Sequence, residues 1–467
     1  MDFVLGSLAN RPDAPAITWN PDSKQTKNPH MLICGSSGSG KTTLVYKIIN
    51  YLNKMNKHIF VFDLKGDMQI LDENDNLIGN YINFTAWNSE FGINPFEFDY
   101  GVTEEELRYL IKEPNVMDSS TRFKIQNSGP KVQIERIIEM FKKTFMPNLG
   151  PAQRDALYYL LFDTYLINGI EYNNIKTWLN SLPSLNDTVT LIEQIKEYTQ
   201  EGESRVSSLA LELIAALDTE IDNLKKGTIT RDSLQEKVEK KVQNYIETKS
   251  NDSETLSASA RWFAERKIDS TKYASKDMTR TIEKLGTYIR ALADTGVFHS
   301  NRPPVKNGLN IINISGQDIA IQRFIVDIWL GKVFRSCKIR GTYADLPNKK
   351  RGEKCDTIVI VDESKLIAGN AREKNDPYSY LNRIATEARG FGLGLIVASQ
   401  SAEHFPPEFL KNFESQIILS TGIADFEAVR KSFGIDKAML EYTQMGFGRI
   451  LVKTGRVFSK VSQESTV

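Results

Sequence analysis

No stretch of the sequence approaches 18 consecutive apolar residues, so no segment is expected to cross a membrane as a helix. The opening MDFVLGSLANRPDAP lacks the basic start and long apolar stretch of a secretory leader. A cytoplasmic protein without membrane insertion is the expectation. Cysteine is scarce: Cys34, Cys337 and Cys355 show no metal-ligand spacing and no disulfide framework, which points to a reducing compartment. Cys34 closes an apolar run and reads as a buried thiol. Excess charge of either sign is absent too, since Lys+Arg and Asp+Glu both number 59. That balance excludes a whole-chain basic surface for nucleic acid and leaves room only for a local basic patch or a pore lined by a few Lys/Arg. Internal repeats and long low-complexity tracts are missing.

What is present is an ordinary mixture, 467 residues with 40% apolar and 25% charged, long enough for several domains or for one core carrying a large insertion. Six short apolar runs rich in β-branched residues read as buried strands: Met31–Cys34, His58–Asp63, Leu309–Ile314, Thr357–Asp362, Gly394–Ser399 and Ser415–Ser420. Between them Thr42–Met55 and Ile319–Phe334 carry apolar residues at helical spacing. Strands alternating with helices predict an α/β fold with a parallel sheet covered on both faces. From about Tyr100 to Arg302 strand-like runs vanish. Leu157–Leu166 is strongly apolar, whereas Thr199–Lys249 is charge-rich and reads as solvated helices. The predicted organisation is therefore a core in two parts, 1–100 and 303–467, split by a helical insertion domain at 101–302. Gly446–Val461 reads as a β-hairpin turning at Thr454–Gly455.

Gly35-Ser36-Ser37-Gly38-Ser39-Gly40-Lys41-Thr42 fits G-x-x-x-x-G-K-[ST], and it stands directly after a strand and opens a helix. Glycines let the backbone wrap phosphates, whose charge meets N–H groups and a helix N-terminus. These eight residues and Thr43 are the candidate ATP-binding residues. Lys41 would reach the β- and γ-phosphates, and the Thr42 hydroxyl would hold Mg²⁺. The apolar strand ending at Asp362-Glu363 would deliver Asp362 to the Mg²⁺ through water and Glu363 to the attacking water. Gln400, just past another strand, is either an ordinary polar strand end or a hydrogen-bond donor to that water or to the γ-phosphate. Arg389 is either a surface Arg in an ordinary ion pair or an arginine finger supplied to a neighbouring subunit. The cluster Asp63-Leu64-Lys65-Gly66-Asp67 lies at a strand end, where ligands bind in such sheets, but reads equally as a turn with Gly66 at positive φ.

Several of these segments together resemble the FtsK–HerA superfamily of ring-forming DNA-pumping ATPases. Asp63-x-Lys65-Gly66-Asp67 is similar to its D-P-K-G-[DE] element, with Leu64 in place of Pro. Ile93-Asn94-Pro95-Phe96 is similar to its N-P-[FL] segment. Leu309–Gly316 leading into Gln322-Arg-Phe-Ile-Val resembles the strand and helix of HerA, and Thr386-Glu387-Ala-Arg389-Gly-Phe-Gly through Ser399-Gln400 resembles its E-G-R-K-x-G segment ending in [ST]-Q. The resemblance implies a RecA-like (ASCE) P-loop core and a homo-hexamer with ATP at the subunit interfaces and DNA through the pore. It also implies Arg389 as the trans-acting finger, Gln400 beside the γ-phosphate, and a partner nuclease or effector protein. The first reading is thus an ATP-driven DNA translocase, the motor of a bacterial DNA-processing or anti-phage defence system. A secretion-type or partner-stimulated ATPase that does not act on DNA is the second, kept open by the neutral charge. A nucleotide-gated assembly scaffold is the third, disfavoured by Glu363. GTP specificity is disfavoured because no Asn-Lys-x-Asp element follows the core.

Overall fold

The computed structural model describes residues 2–24, 26–72, 74–84, 89–227, 233, 236–240, 258–362, 380–400, 405, 407–455 and 457–463. Among the described residues eleven strands join into one sheet. In chain order they are β1 (Phe3–Leu8), β2 (Ile17–Trp19), β3 (Met31–Cys34), β4 (His58–Asp63), β5 (Asn80–Asn83), β6 (Leu309–Asn313), β7 (Thr357–Val361), β8 (Leu393–Ser399), β9 (Ser415–Ile418), β10 (Arg449–Thr454) and β11 (Ser459–Ser462). Across the sheet the order is β2-β1-β11-β10-β9-β3-β8-β7-β4-β6-β5. From β9 to β5 neighbouring strands run parallel; from β9 outward through β10, β11, β1 and β2 they run antiparallel. All six apolar runs of the sequence are strands of the parallel part, with ends shifted by two residues at most.

Parallel strands buried on both faces have no polar side to show, which is why these runs are continuously apolar. Their period of two still sorts them. Ile358 and Ile360 of β7 face one cluster with Leu44, Val45, Ile48, Ile49 and Leu52 of helix α1 (Lys41–Lys54). Val359 and Val361 face the other, with helix Ile319–Ile339 and the helices that lie between β5 and β6. Each fully buried Leu, Ile or Val contributes roughly 1.5–3 kcal/mol, so both layers are needed to hold a sheet this wide.

Between β5 and β6 the described residues contain no strand. Helices Glu104–Lys112, Ser119–Gln126, Gly129–Thr144, Pro151–Ile167, Leu185–Lys225, Ala258–Glu265 and Lys276–Asp294 occupy this span. The first part of the charge-rich stretch at Thr199–Lys249 continues helix Leu185–Lys225, while its residues 228–232, 234–235 and 241–249 lie outside the described residues. The Ile93–Phe96 segment is the joint between sheet and helices. Asn94 Oδ1 accepts from the Phe96 N–H at 2.9 Å, and its Nδ2 donates to the Pro183 carbonyl at 2.8 Å. Gln133 donates to the Pro95 carbonyl and the Tyr165 hydroxyl to the Phe96 carbonyl, each at 2.7 Å.

Three strands escape the sequence pattern. β1 and β2 lie at the antiparallel edge, where Val4 is exposed and Gly6 interrupts the register. β5 begins and ends in Asn, a residue depleted in strands. The C-terminal hairpin forms, but not with a two-residue turn at Thr454–Gly455. Its last pair is Val452↔Ser459, because Thr454 stays in the ladder opposite Ser415 of β9 and carries the strand past the expected turn. Among the described residues no helix is long and apolar enough to cross a membrane.

His30, at the start of β3, is fully buried, and its Nδ1 accepts from the Leu395 N–H at 3.0 Å. Its proton therefore sits on Nε2, which has no hydrogen-bond partner among the described residues. Burial first, and then the nearby Arg389 charge, hold the imidazole down to about 3. The unfolded chain takes up this proton near 6.5 while the folded chain refuses it, so stability is complete above that pH and falls as pH drops toward 3. Urea unfolding of wild type should lose about 1.4 kcal/mol per pH unit in this window relative to His30→Asn, which keeps the acceptor and cannot titrate. Parallel pH profiles for the two proteins would contradict this assignment.

Candidate functional site

The phosphate loop emerges where β3 ends. It is pinned on both sides: the Gly35 N–H donates to the Ser399 carbonyl of β8 at 3.2 Å, and the Ser36 N–H to the Ser420 carbonyl beyond β9 at 2.8 Å. The Ser36 hydroxyl donates to that same carbonyl at 3.0 Å. A Cβ on Gly35 would stand 2.6 Å from Ser39 Oγ and 2.9 Å from Leu419 Cβ, so only glycine fits there. Gly38 and Gly40 have φ of +75° and +92°, the left-handed region that glycine enters without strain. The chain can then turn its N–H groups toward one point and enter α1 directly from Gly40. Lys41 is buried, its ammonium donating to the Gly35 and Ser36 carbonyls at 2.8 Å each. Ser39 Oγ is buried and has no hydrogen-bond partner among the described residues. Glycines that only a concave loop needs, an orphaned hydroxyl and an ammonium gathered at a helix N-terminus fit a polyphosphate. Beneath the loop, burial pushes the Cys34 thiol up to about 12, so it is a packing residue.

Sheet order supplies the rest. β7 is not beside β3; β8 lies between them, with Cys34 opposite Ser399 and Val361 opposite Val397. The phosphate loop, Gln400 and Asp362 thus leave the same edge of three adjacent strands, with β3 and β7 about 10 Å apart. Asp362 is buried at this edge and Thr42 half-buried. One hydroxyl and one carboxylate suit Mg²⁺, which takes few protein ligands and fills its octahedron with phosphate oxygens and water. Tyr46 of α1 reports on the same edge: burial first, with the Asp67, Asp63 and Asp362 carboxylates adding, raises its phenol above the ordinary value. Glu363 lies outside the described residues.

Asp63 resolves one alternative left by the sequence. Its carboxylate accepts from the Lys65, Gly66 and Met68 N–H groups at 3.1, 2.7 and 3.1 Å, and Gly66 has φ +79°. Asp63 builds the turn at the end of β4.

Arg389 is not brought to this edge. It is exposed in the turn Ala388–Phe391, which precedes β8, whereas the phosphate loop lies beyond the strands' other ends. The seven residues of β8 put roughly 20 Å between the two. Glu387, its nearest acidic neighbour in sequence, is engaged by Arg383 at 3.3 Å, and Arg389 forms no ion pair among the described residues. Sequence reading missed the far wall of the site. A cavity of about 400 Å³ opens between the phosphate loop and the turn Gly446–Gly448, with Leu419 as part of its lining. The Gly-Phe-Gly triplet there was a legible turn signal, but nothing in it points to the phosphate loop.

A phosphate loop and a carboxylate strand with one strand between them, in a parallel sheet covered on both faces, define a RecA-like P-loop NTPase. A family model described as "Helicase HerA, central domain" matches residues 3–333, well over half of the chain, and the chain belongs to this family of P-loop ATPases. The "Probable helicase MJECL08" of Methanocaldococcus jannaschii is 34% identical over 95 residues, a stretch that covers 20% of this chain and 18% of that protein. VirB4 of Thermoanaerobacter pseudethanolicus superposes with a TM-score of 0.59 at 14% identity, covering 98% of this chain and 95% of that one, which shows a shared fold. The bacterial conjugative coupling protein TrwBΔN70 gives 0.49 at 11% identity over 96% and 87% of the two chains.

Lys41→Ala removes the cation that the loop encloses. Titration calorimetry should find no measurable ATP binding by this variant; wild-type affinity would contradict the assignment of the loop.

Proposed function

We propose that this chain is the ATP-hydrolysing subunit of a HerA/FtsK-like homo-hexameric ring that moves DNA through its pore. The observation that carries the reading is the distance between Arg389 and the phosphate loop. A guanidinium roughly 20 Å from its own loop cannot stabilise charge there, yet an exposed one at the opposite sheet edge is available to another copy. Membership of the HerA helicase family supports DNA as the moved substrate, as does a relative named a probable helicase. With no net charge on the chain, the DNA contact is local to the pore.

In this account Lys41 and the partner subunit's Arg389 grip the γ-phosphate from two sides. Glu363 accepts a proton from the attacking water, and Gln400 orients that water or the γ-phosphate. Water bonds to the γ-phosphorus, the bond to the β–γ bridging oxygen breaks, and ADP and phosphate leave. Thr42 and Asp362 hold Mg²⁺, which offsets the negative charge of the phosphates. Loss of the γ-phosphate removes the anion shared by Lys41 and the finger, loosens that interface and lets the subunits shift along the DNA. Residues 101–302 form a helical insertion domain on a core made of 1–100 and 303–467. A nuclease or effector protein acting on the moved DNA, in a DNA-processing or anti-phage defence setting, completes the proposal.

The test is the ATPase rate with and without double-stranded DNA at low and moderate salt, with Glu363→Gln as the blank. DNA should stimulate turnover, and the stimulation should weaken as salt rises, because phosphate contacts release counterions. A rate indifferent to DNA would move the reading to a motor driven by a partner protein. Glu363→Gln itself should bind ATP at wild-type affinity and hydrolyse it at least a hundredfold more slowly, of the order expected for losing general-base catalysis. Normal turnover would show that another group activates the water.

A further inference from the structure

The cavity beside the phosphate loop has a feature that phosphate binding leaves unused. Phe447 is 80% exposed, although its side chain is among the most apolar in the sequence. Its ring stands against the loop: Cζ and Cε2 lie 3.5 and 3.6 Å from where a Cβ on Gly40 would be. The turn that presents the ring is fixed. Gly448 takes φ +77°, the Gln463 N–H donates to the Gly448 carbonyl at 3.0 Å, and the Arg449 N–H donates to the Gly446 carbonyl at 3.4 Å. The backbone that presents the ring is therefore fixed, while the ring's surface stays in solvent.

The surroundings indicate what covers it. One wall of the cavity is Ser36–Gly40, and Thr43 and Lys47 line it from the first two turns of α1. Leu419 supplies an apolar wall, and Gln444 a polar one. Its volume of about 400 Å³ lies within the range of small-molecule clefts, roughly 300–1,000 Å³. A polyphosphate seated on the loop has one free end, and any group attached to that end is close to Phe447. A flat, largely apolar π-system is the group that gains most from an exposed phenyl ring, since offset stacking adds to area burial.

We infer that this cavity is the nucleobase subsite and that Phe447 stacks on the base of the bound nucleotide. This rests on the ATP-binding reading and extends it from the phosphates to the base. Every base has a π-face, so Phe447 contributes affinity for purine nucleotides in general, without selecting adenine over guanine.

The test compares AMP-PNP, GMP-PNP and inorganic tripolyphosphate as ligands of the full chain by titration calorimetry, with size-exclusion chromatography run in parallel. Phe447→Ala should weaken both nucleotides about tenfold, in line with base-on-aromatic stacking, and leave tripolyphosphate within about twofold of wild type. Phe447→Trp should restore nucleotide affinity, a recovery that a merely structural role would not give. Because the side chain is exposed, the alanine variant retains its core. Unchanged nucleotide affinity, or equal weakening of nucleotides and tripolyphosphate, would overturn the proposal. So would altered assembly with intact affinity, which would assign Phe447 to a contact between copies alongside the exposed Ile423 and Met445. Failure of wild type to bind any of the three ligands would sink the ATPase reading itself, and is distinguishable from a loss of base dependence alone.

Discussion

A parallel sheet buried on both faces leaves only the ends of its strands for chemistry, and this constraint organises the molecule. Side chains in β3, β7 and β8 are committed to packing against α1 on one face and against helix Ile319–Ile339 on the other. Functional groups must then sit where the strands stop. The edge at which β3, β8 and β7 end holds the phosphate loop, Gln400 and Asp362 together. The opposite edge holds His30 and Arg389. A strand's length separates the two sets, so a chemistry that needs both has to be completed by a second copy.

The helical segment is joined to the core by half-buried ion pairs as well as by apolar contact. Glu97 pairs with Lys332 at 2.5 Å, and Asp99 with Arg335 at 2.5 Å and Arg136 at 3.2 Å. Lys332 and Arg335 belong to helix Ile319–Ile339, while Glu97 and Asp99 follow the Ile93–Phe96 joint. Within the helical segment Asp163, fully buried, is met by Lys272 at 2.7 Å and by the Tyr273 hydroxyl. Burial raises the Asp163 carboxyl above its ordinary value against the pull of Lys272, so this pair contributes little net stability. Such pairs fix geometry: removing one partner strands a charge in an apolar setting. The segment is thereby held in one orientation on the sheet face that carries helix Ile319–Ile339.

Much of the fold was legible because most parallel strands are short, continuous apolar runs that stop at turn or polar residues. The phosphate loop was legible for a stronger reason, since its glycines, Lys41 and helix start are required together by one physical task. What escaped was set by partners distant in sequence. β2 and β5 are short strands at the two edges of the sheet and β1 is interrupted at Gly6, so pairing, not composition, makes them strands. Asp63 stands at the strand ends where ligands bind, as its position suggested, and its carboxylate also builds the turn there by accepting from three backbone N–H groups, which no local pattern foretold. Phe447 lies 407 positions from Gly40, a separation given by the numbering, yet its ring rests against that glycine. No local pattern announces such a contact.

The central claim is that one ATP site is built from two chains. The most direct measurement mixes subunits carrying Lys41→Ala with subunits carrying Arg389→Ala and follows ATP turnover. Each variant alone should be inactive, the first for want of the phosphate grip and the second for want of the finger. Mixed rings contain interfaces where an intact Lys41 faces an intact Arg389, so turnover should reappear and peak near equal proportions. A mixture as inactive as its parts, although chromatography shows mixed rings, would contradict a finger acting between subunits.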